Sequence, residues 1–426
     1  MHTILKITLL FSLVIFRFAL HGQPTDFSYS MIHALQEKQT ALGRNIQIRK
    51  MLRQNLPFAQ WVYAIKTNKD STKDPIQTGQ LKWTHRIDSL DHHAIVIVPF
   101  DYNPQKKYPV DVILHGAVSS PNPHAVAKYI QFTKSQLAKV QHIVVYPSGW
   151  LLSPWWNKSQ LQHLDLLLRK LKKNYNVDEN QVFLSGISDG GTGCVYVANF
   201  FSTPWACFLP YISYPGGVPH LSKEPLYLKN LPNNSFYFIS TQNDHLFPPK
   251  RIHTFANLLK EASIKHKLSI VPEHGHDVTW LAEYKDSIRQ YKRKHTRNPY
   301  PDSISWHCHD IEYGRNHWVV IEKMSRQRRE DYANALEAEG QKTKYHGFIK
   351  VKRNGNTIHV QSTNVKQFRL LISPEQFNFD KPIEVYTNGK RSFRKKLKPD
   401  AKTLLKWHWQ DMDRTMLFGA EIKIMQ

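Results

Sequence analysis

The chain is 426 residues long, with 41% hydrophobic and 12% aromatic residues, which excludes a disordered chain and allows about two to three domains with buried cores. Its formal net charge of +24 describes a surface field and not a fold. No helix-turn-helix, zinc-finger or aromatic RNA-binding signature accompanies it, so nucleic acid is not an expected partner. Three cysteines, Cys194, Cys207 and Cys308, exclude a disulfide framework, and Cys194 reads as a small buried apolar residue.

Residues 1–22 carry Lys6, an apolar run from Ile7 to Phe16, then Ala19 and Gly22, the pattern of a secretory signal peptide. Arg17 interrupts the run, which is too short to span a membrane, and no A-x-A cleavage site follows. The expectation is an exported protein, periplasmic or secreted, with no stable membrane span after signal cleavage; an uncleaved amphipathic anchor is the alternative. Residues 23–80 show helical spacing at Met31, Leu35, Leu42 and Ile46, then the aromatics Phe58, Trp61 and Tyr63 and a polar loop from Asn68 to Asp74. This N-terminal helical segment is expected to pack on the domain that follows.

Residues 81–300 alternate strands and helices. A strand pair reads over Leu81–Phe100, single strands over Val110–Leu114 and His142–Pro147, and an amphipathic crossover helix over Leu161–Leu171. Further strands begin at Val182, Ser235 and Lys267, with Ile252, Phe255, Leu258, Leu259 and Ala262 at helical spacing between the last two. Such alternation requires a mostly parallel, doubly wound α/β sheet. The basic, proline-punctuated run Lys292–Pro301 closes this domain. From residue 303 to 426 the period changes to two, with strands near 317–321, 347–351, 357–362, 368–372 and 383–386, and hairpin turns at Asn354-Gly355 and Asn388-Gly389. A β-sandwich-like domain is expected there.

The most specific word is Gly186-Ile187-Ser188-Asp189-Gly190, after the apolar strand residues Val182, Phe183 and Leu184 and before an apolar helical pattern. It matches the G-x-S-x-G nucleophile elbow, in which a serine is held on a turn so sharp that flanking side chains would collide. A serine hydroxyl becomes a nucleophile when an imidazole takes its proton and a carboxylate fixes the imidazole. Asp244, at the end of the strand starting at Ser235, is placed for the acid. Asp277 adjoins the histidine loop in sequence, and sequence neighbours seldom face one another, so it reads as a cap. The base comes from the loop Glu273-His274-Gly275-His276, with His245 a weaker candidate. The N–H of Asp189, at a helix N-terminus, is aimed to stabilise an oxyanion. A second donor, the Ala117 N–H, is expected after the strand ending in His115-Gly116-Ala117, which is similar to the H-G-G oxyanion motif of lipases and esterases. His115 itself reads as structural.

Pro109–Gly116, Val177–Gly191 and Gly275-His276-Asp277 before Trp280 carry a wider resemblance, from about residue 81 to 298. The chain resembles α/β-hydrolase serine esterases of the poly(hydroxybutyrate) depolymerase and feruloyl or acetylxylan esterase type, and the prolyl-oligopeptidase catalytic domain. The resemblance implies an α/β-hydrolase fold, Ser188 as nucleophile, Asp244 as acid and His276 in preference to His274 as base. Asp189 departs from the pattern and places a carboxylate beside the nucleophile, where it would repel anions and raise the pKa of a nearby histidine.

The expected function is that of an exported serine hydrolase cleaving carboxylic esters, polysaccharide-linked acyl groups or short polyesters, with no cofactor. A serine peptidase of prolyl-oligopeptidase-like type and a non-catalytic binding protein are the alternatives. Trp150, Trp155 and Trp156 are candidates for an aromatic substrate wall. Trp306-His307-Cys308-His309-Asp310 holds potential ligands but no complete set, so no metal is expected and a solvated edge strand is the reading. Basic clusters at Lys292–Arg297, Arg326–Arg329 and Lys390–Lys396 suggest attachment to an anionic polysaccharide through the C-terminal surface.

Overall fold

The computed structural model describes residues 26–67, 76–124, 126–130, 133–325, 335–336 and 346–426. The expected signal segment, the polar loop from Asn68 and the basic cluster Arg326–Arg329 lie outside the described residues. Eight strands form the central sheet: β1 (Gly79–Ile87), β2 (Leu90–Val98), β3 (Tyr108–Leu114), β4 (Ile143–Pro147), β5 (Val177–Ile187), β6 (Cys207–Tyr211), β7 (Ser235–Thr241) and β8 (His266–Val271). Their order is β1-β2-β4-β3-β5-β6-β7-β8. The β1/β2 and β2/β4 pairs are antiparallel and the others parallel, which is the α/β-hydrolase architecture.

Central strands buried on both faces read as continuous apolar runs, as in β6, where every residue is buried. β6 has no separate sequence reading, and its Pro210 lacks an N–H, which makes it an unusual residue for a central strand. Helices α4 (Lys158–Asn174), α5 (Asp189–Phe200), α6 (Pro249–Glu261) and α7 (Leu281–Lys294) cover the sheet. Asn157 caps α4 by accepting the Ser159 N–H at 3.1 Å, and Leu161, Leu164, Leu167, Leu168 and Leu171 form its buried stripe. Residues 190–200 of α5 are all buried, so the helix behind the elbow is fixed by packing on every side, Cys194 included.

The C-terminal region forms two sheets, one ordered β9 (Ser303–Cys308), β12 (Gly347–Asn354), β13 (Thr357–Thr363), β15 (Ile383–Thr387) and β16 (Lys390–Lys395). The other is ordered β10 (Arg315–Asn316), β11 (Val319–Met324), β14 (Val365–Ile372) and β17 (Ala420–Met425). Asn388 and Gly389, at φ 49° and 82°, form the β15–β16 turn that Asn-Gly predicts. β11 begins later than expected because His317, at φ 47°, lies in the preceding turn. β9 is an edge strand, but not a solvated one. Trp306, His307 and Cys308 are buried, and Asn230 and Asn233 bond its backbone at the His307 carbonyl (2.9 Å) and the Ser305 carbonyl (2.8 Å).

This region is not an independent appendage. Trp306, Trp318, Val351 and Phe368 belong to the same apolar core as Val112, Leu184 and Leu164 of the hydrolase. The junction is pinned by buried ion pairs: Arg297 with Asp413 at 2.7 Å and Arg414 with Glu179 at 2.5 Å. The N-terminal helices α1 (Asp26–Gln36), α2 (Ala41–Leu52) and α3 (Phe58–Thr67) correct another expectation. They bury Ile32, Leu35, Ile48, Met51 and Trp61 against Leu404 and Leu405 of α8 (Ala401–Asp411), and not on the hydrolase core. The amphipathic stripe shows that a partner exists; its identity depends on α8, whose helix had no separate sequence reading.

Candidate active site

Ser188 sits between β5 and α5 at φ 55° and ψ −118°, a conformation costly for a residue with a Cβ. Its N–H donates to the Tyr211 carbonyl at 3.0 Å. A Cβ at Gly186 would lie 2.1 Å from the Gly190 carbonyl oxygen, and one at Gly190 2.2 Å from that of Leu114. The two flanking glycines are therefore required by close approach, as the elbow motif predicts.

Asp244 lies just beyond β7 and is 2% exposed. Its Oδ1 accepts the N–H groups of Leu246 (2.9 Å) and Phe247 (2.8 Å), which fix the carboxylate. Its Oδ2 faces Nδ1 of His276 at 2.8 Å, and Nε2 of the same ring lies 2.9 Å from Ser188 Oγ. Nδ1 in this setting carries the proton toward the acid, leaving Nε2 to accept from the serine. The three side chains singled out in the sequence are thus brought into one hydrogen-bonded line.

The loop that carries His276 is itself held in place. Thr241 Oγ1 donates to the Gly275 carbonyl at 2.7 Å, and the Asn243 N–H donates to the His274 carbonyl at 2.8 Å. Asp277 accepts the Thr279 N–H at 2.9 Å and its hydroxyl at 2.5 Å, and these bonds bring its pKa down to about 2. Asp277 therefore shapes the loop, as expected of a cap. His274 turns toward Asp277 and Thr279, while His245 is exposed.

The expected oxyanion donors meet at the same place. A Cβ at Gly116 would lie 3.1 Å from Ser188 Cβ and 3.7 Å from its Oγ, so this backbone runs against the nucleophile. Ala117 adopts φ 55°. Among the described residues, the N–H groups of Ala117 and Asp189 have no hydrogen-bond partner, which leaves both donors free. The Asp189 carboxylate is tied to the neighbouring loop: Oδ2 accepts the Val118 N–H at 3.1 Å and braces the turn that follows Ala117. His115 is structural. Its Nε2 accepts the Gly149 N–H at 3.1 Å, and burial lowers its pKa although Asp189 pulls the other way.

The aromatic wall is corrected at Trp150 and Trp155. Trp150 and Trp155 are 2% and 1% exposed, with Trp155 Nε1 bonded to the His115 carbonyl at 2.8 Å and Trp150 against the His92 ring. Trp156 is half-buried, packed against the edge of the core that holds Trp155. The aromatics beside the site are instead Phe247, edge-on to the His276 ring at 5.4 Å, and Tyr214, stacked on Phe247 at 6.4 Å. Phe247 lies three residues after Asp244, a spacing readable only once the acid is placed. His307 stacks on Tyr227, and His309 pairs with Glu224 at 2.6 Å; among the described residues no cluster is arranged for a metal ion. No helix among them is long and apolar enough to cross a membrane.

Neither a known protein family nor a curated relative matches the chain. Similar solved structures include a thermostable esterase (19% identity, TM-score 0.42, covering 51% of this chain and 63% of that one). The acylaminoacyl peptidase of Pyrococcus horikoshii is similar at 16% identity and TM-score 0.40, covering 52% and 43%. Esterase 2 of Thermogutta terrifontis is similar at 13% identity and TM-score 0.38, covering 53% and 96%. The match spans less than two-thirds of the length of the first two structures.

Proposed function

We propose that the protein is a serine hydrolase that cleaves carboxylic esters through an acyl-enzyme on Ser188. One observation carries this reading: a single imidazole lies 2.9 Å from the elbow hydroxyl and 2.8 Å from a buried carboxylate. His276 takes the hydroxyl proton as Ser188 Oγ attacks the ester carbonyl, and Asp244 holds the imidazolium that forms. The Ala117 and Asp189 N–H groups receive the negative oxygen of the tetrahedral intermediate. His276 then gives its proton to the departing alcohol. Water, deprotonated by the same ring, releases the acid and restores Ser188.

Polysaccharide-linked acyl groups or short polyesters are the substrate class supported by the sequence words shared with depolymerases and feruloyl or acetylxylan esterases. The apolar run behind Lys6 supports export. The basic edge strand β16, with Lys390, Arg391 and Arg394 exposed, supports attachment to an anionic polysaccharide. Replacing Lys390, Arg391, Lys395 and Lys396 by glutamine should weaken retention on an anionic polysaccharide gel; unchanged retention refutes attachment through this strand.

Hydrolysis of p-nitrophenyl butyrate tests the central reading. Ser188→Ala and His276→Ala should each reduce kcat by about 10⁴-fold or more, and Asp244→Asn by about the same order. Undiminished turnover in Ser188→Ala refutes it, and turnover of peptides but not esters by the unaltered protein reassigns the substrate.

A further inference from the structure

Phe247 touches two of the three side chains in the catalytic line. Its backbone N–H donates to Asp244 Oδ1 at 2.8 Å, and its ring packs against the His276 ring, with centroids 5.4 Å apart and planes at 67°. One residue outside the triad thus meets both its acid and its base.

The base has need of that contact. The bonds from Thr241 and Asn243 hold the loop through the backbone carbonyls of Gly275 and His274, and they do not reach the His276 ring. The ring is oriented by Asp244 at Nδ1 and by Ser188 at Nε2. Only the first of these survives a full turnover. Once Ser188 Oγ is acylated it has no proton to donate, and the imidazole must keep its place on one hydrogen bond while it activates water. A T-shaped aromatic pair at this separation is favourable and does not depend on the state of the serine.

Phe247 is itself held fast. It precedes Pro248 and Pro249, so its backbone is restricted by the ring that follows, with Pro248 at φ −53° and Pro249 opening α6. The Phe247 ring in turn stacks on Tyr214, in the loop after β6, with centroids 6.4 Å apart and planes at 24°. Tyr214 lies against bare backbone: a Cβ at Gly217 would come within 2.9 Å of its Cδ1. Its carbonyl accepts the Gly217 N–H at 3.0 Å and the Thr192 hydroxyl of α5 at 3.4 Å. A rigid stack therefore runs from this loop to the imidazole.

We propose that Phe247 is the positioning residue of the triad, its N–H setting the acid and its ring keeping His276 in line while the serine is acylated. The assignment rests on the serine-hydrolase reading and adds a role within its site. It places the greatest demand on the second half of the reaction, release of the acyl group to water.

Phe247→Ala removes the ring and keeps the N–H, so it isolates the contact with His276. With p-nitrophenyl butyrate, kcat should fall about tenfold and kcat/KM by clearly less, because deacylation suffers more than acylation. A pre-steady-state burst of about one p-nitrophenol per protein should accompany the slower turnover. Phe247→Leu, which restores apolar bulk, should recover part of the rate. A merely structural role gives a different pattern: fewer folded molecules lower kcat and the burst together and leave KM unchanged. That pattern, or rates equal to those of the unaltered protein, overturns the positioning role and leaves the hydrolase reading standing. Should Phe247→Ala not fold, Tyr214→Leu decides, since it withdraws the backing and leaves the Phe247 ring: the same split at about threefold supports the role, and no split overturns it. No ester turnover by the unaltered protein overturns the hydrolase reading and the assignment with it.

Discussion

The Asp189 carboxylate receives the Val118 N–H at 3.1 Å, so one side chain ties the nucleophile's turn to the loop bearing the other oxyanion donor. Ala117 at φ 55° has no glycine's freedom to hold that conformation unaided. Asp189→Ala should lower kcat for p-nitrophenyl butyrate by about tenfold, a fraction of the 10²–10³ cost of losing a whole donor. Asp189→Asn, which keeps an acceptor oxygen, should recover part of the rate, and equal rates for all three proteins contradict the bracing role. At this scale the sequence was most legible where chemistry dictates position. Gly186 and Gly190 are forced by contacts, and Asp244 by its place beyond a strand. Trp150 and Trp155 were misread because residue type does not encode which face of a loop is covered: Trp155 is drawn inward by the His115 carbonyl.

Helix α8 joins the two ends of the chain. Leu404 and Leu405 are fully buried among α1–α3, and Gln36 Nε2 approaches His408 Nε2 at 3.3 Å. Leu405→Ala should cost about 2–5 kcal/mol through lost contacts and a residual cavity. Thermal unfolding should show the loss, and limited proteolysis should cut the α1–α3 segment faster than in the unaltered protein. Unchanged cleavage there contradicts the packing described. Periodic elements such as α4 and the β15–β16 hairpin follow from spacing and turn chemistry. β6 did not, because tertiary burial places Pro210 opposite Gly186 in a central strand against its own propensity.

The whole molecule buries several histidines in the neutral form. Burial holds His317 at about 3, His307 at about 3 and His408 at about 4, against 6.5 for the free side chain. Between about pH 6.5 and 4 the unfolded chain therefore binds protons that the folded chain refuses. Stability from these groups is complete above pH 6.5 and lost as the solution is acidified, by up to about 1.4 kcal/mol per group per pH unit. Melting temperature should fall steadily from pH 7 to pH 5, and less steeply in His408→Gln; a flat profile contradicts the buried neutral histidines. The shared apolar core and the Arg297–Asp413 and Arg414–Glu179 pairs predict that hydrolase and sandwich unfold together.

The account stands on Ser188 being a nucleophile made reactive by His276. Mass measurement after treatment with a fluorophosphonate tests this most directly, because the reagent needs an activated hydroxyl but no particular substrate. One phosphonyl adduct should form on Ser188 in the unaltered protein and be absent from Ser188→Ala and His276→Ala. An adduct persisting in Ser188→Ala, or none on the unaltered protein, would contradict it.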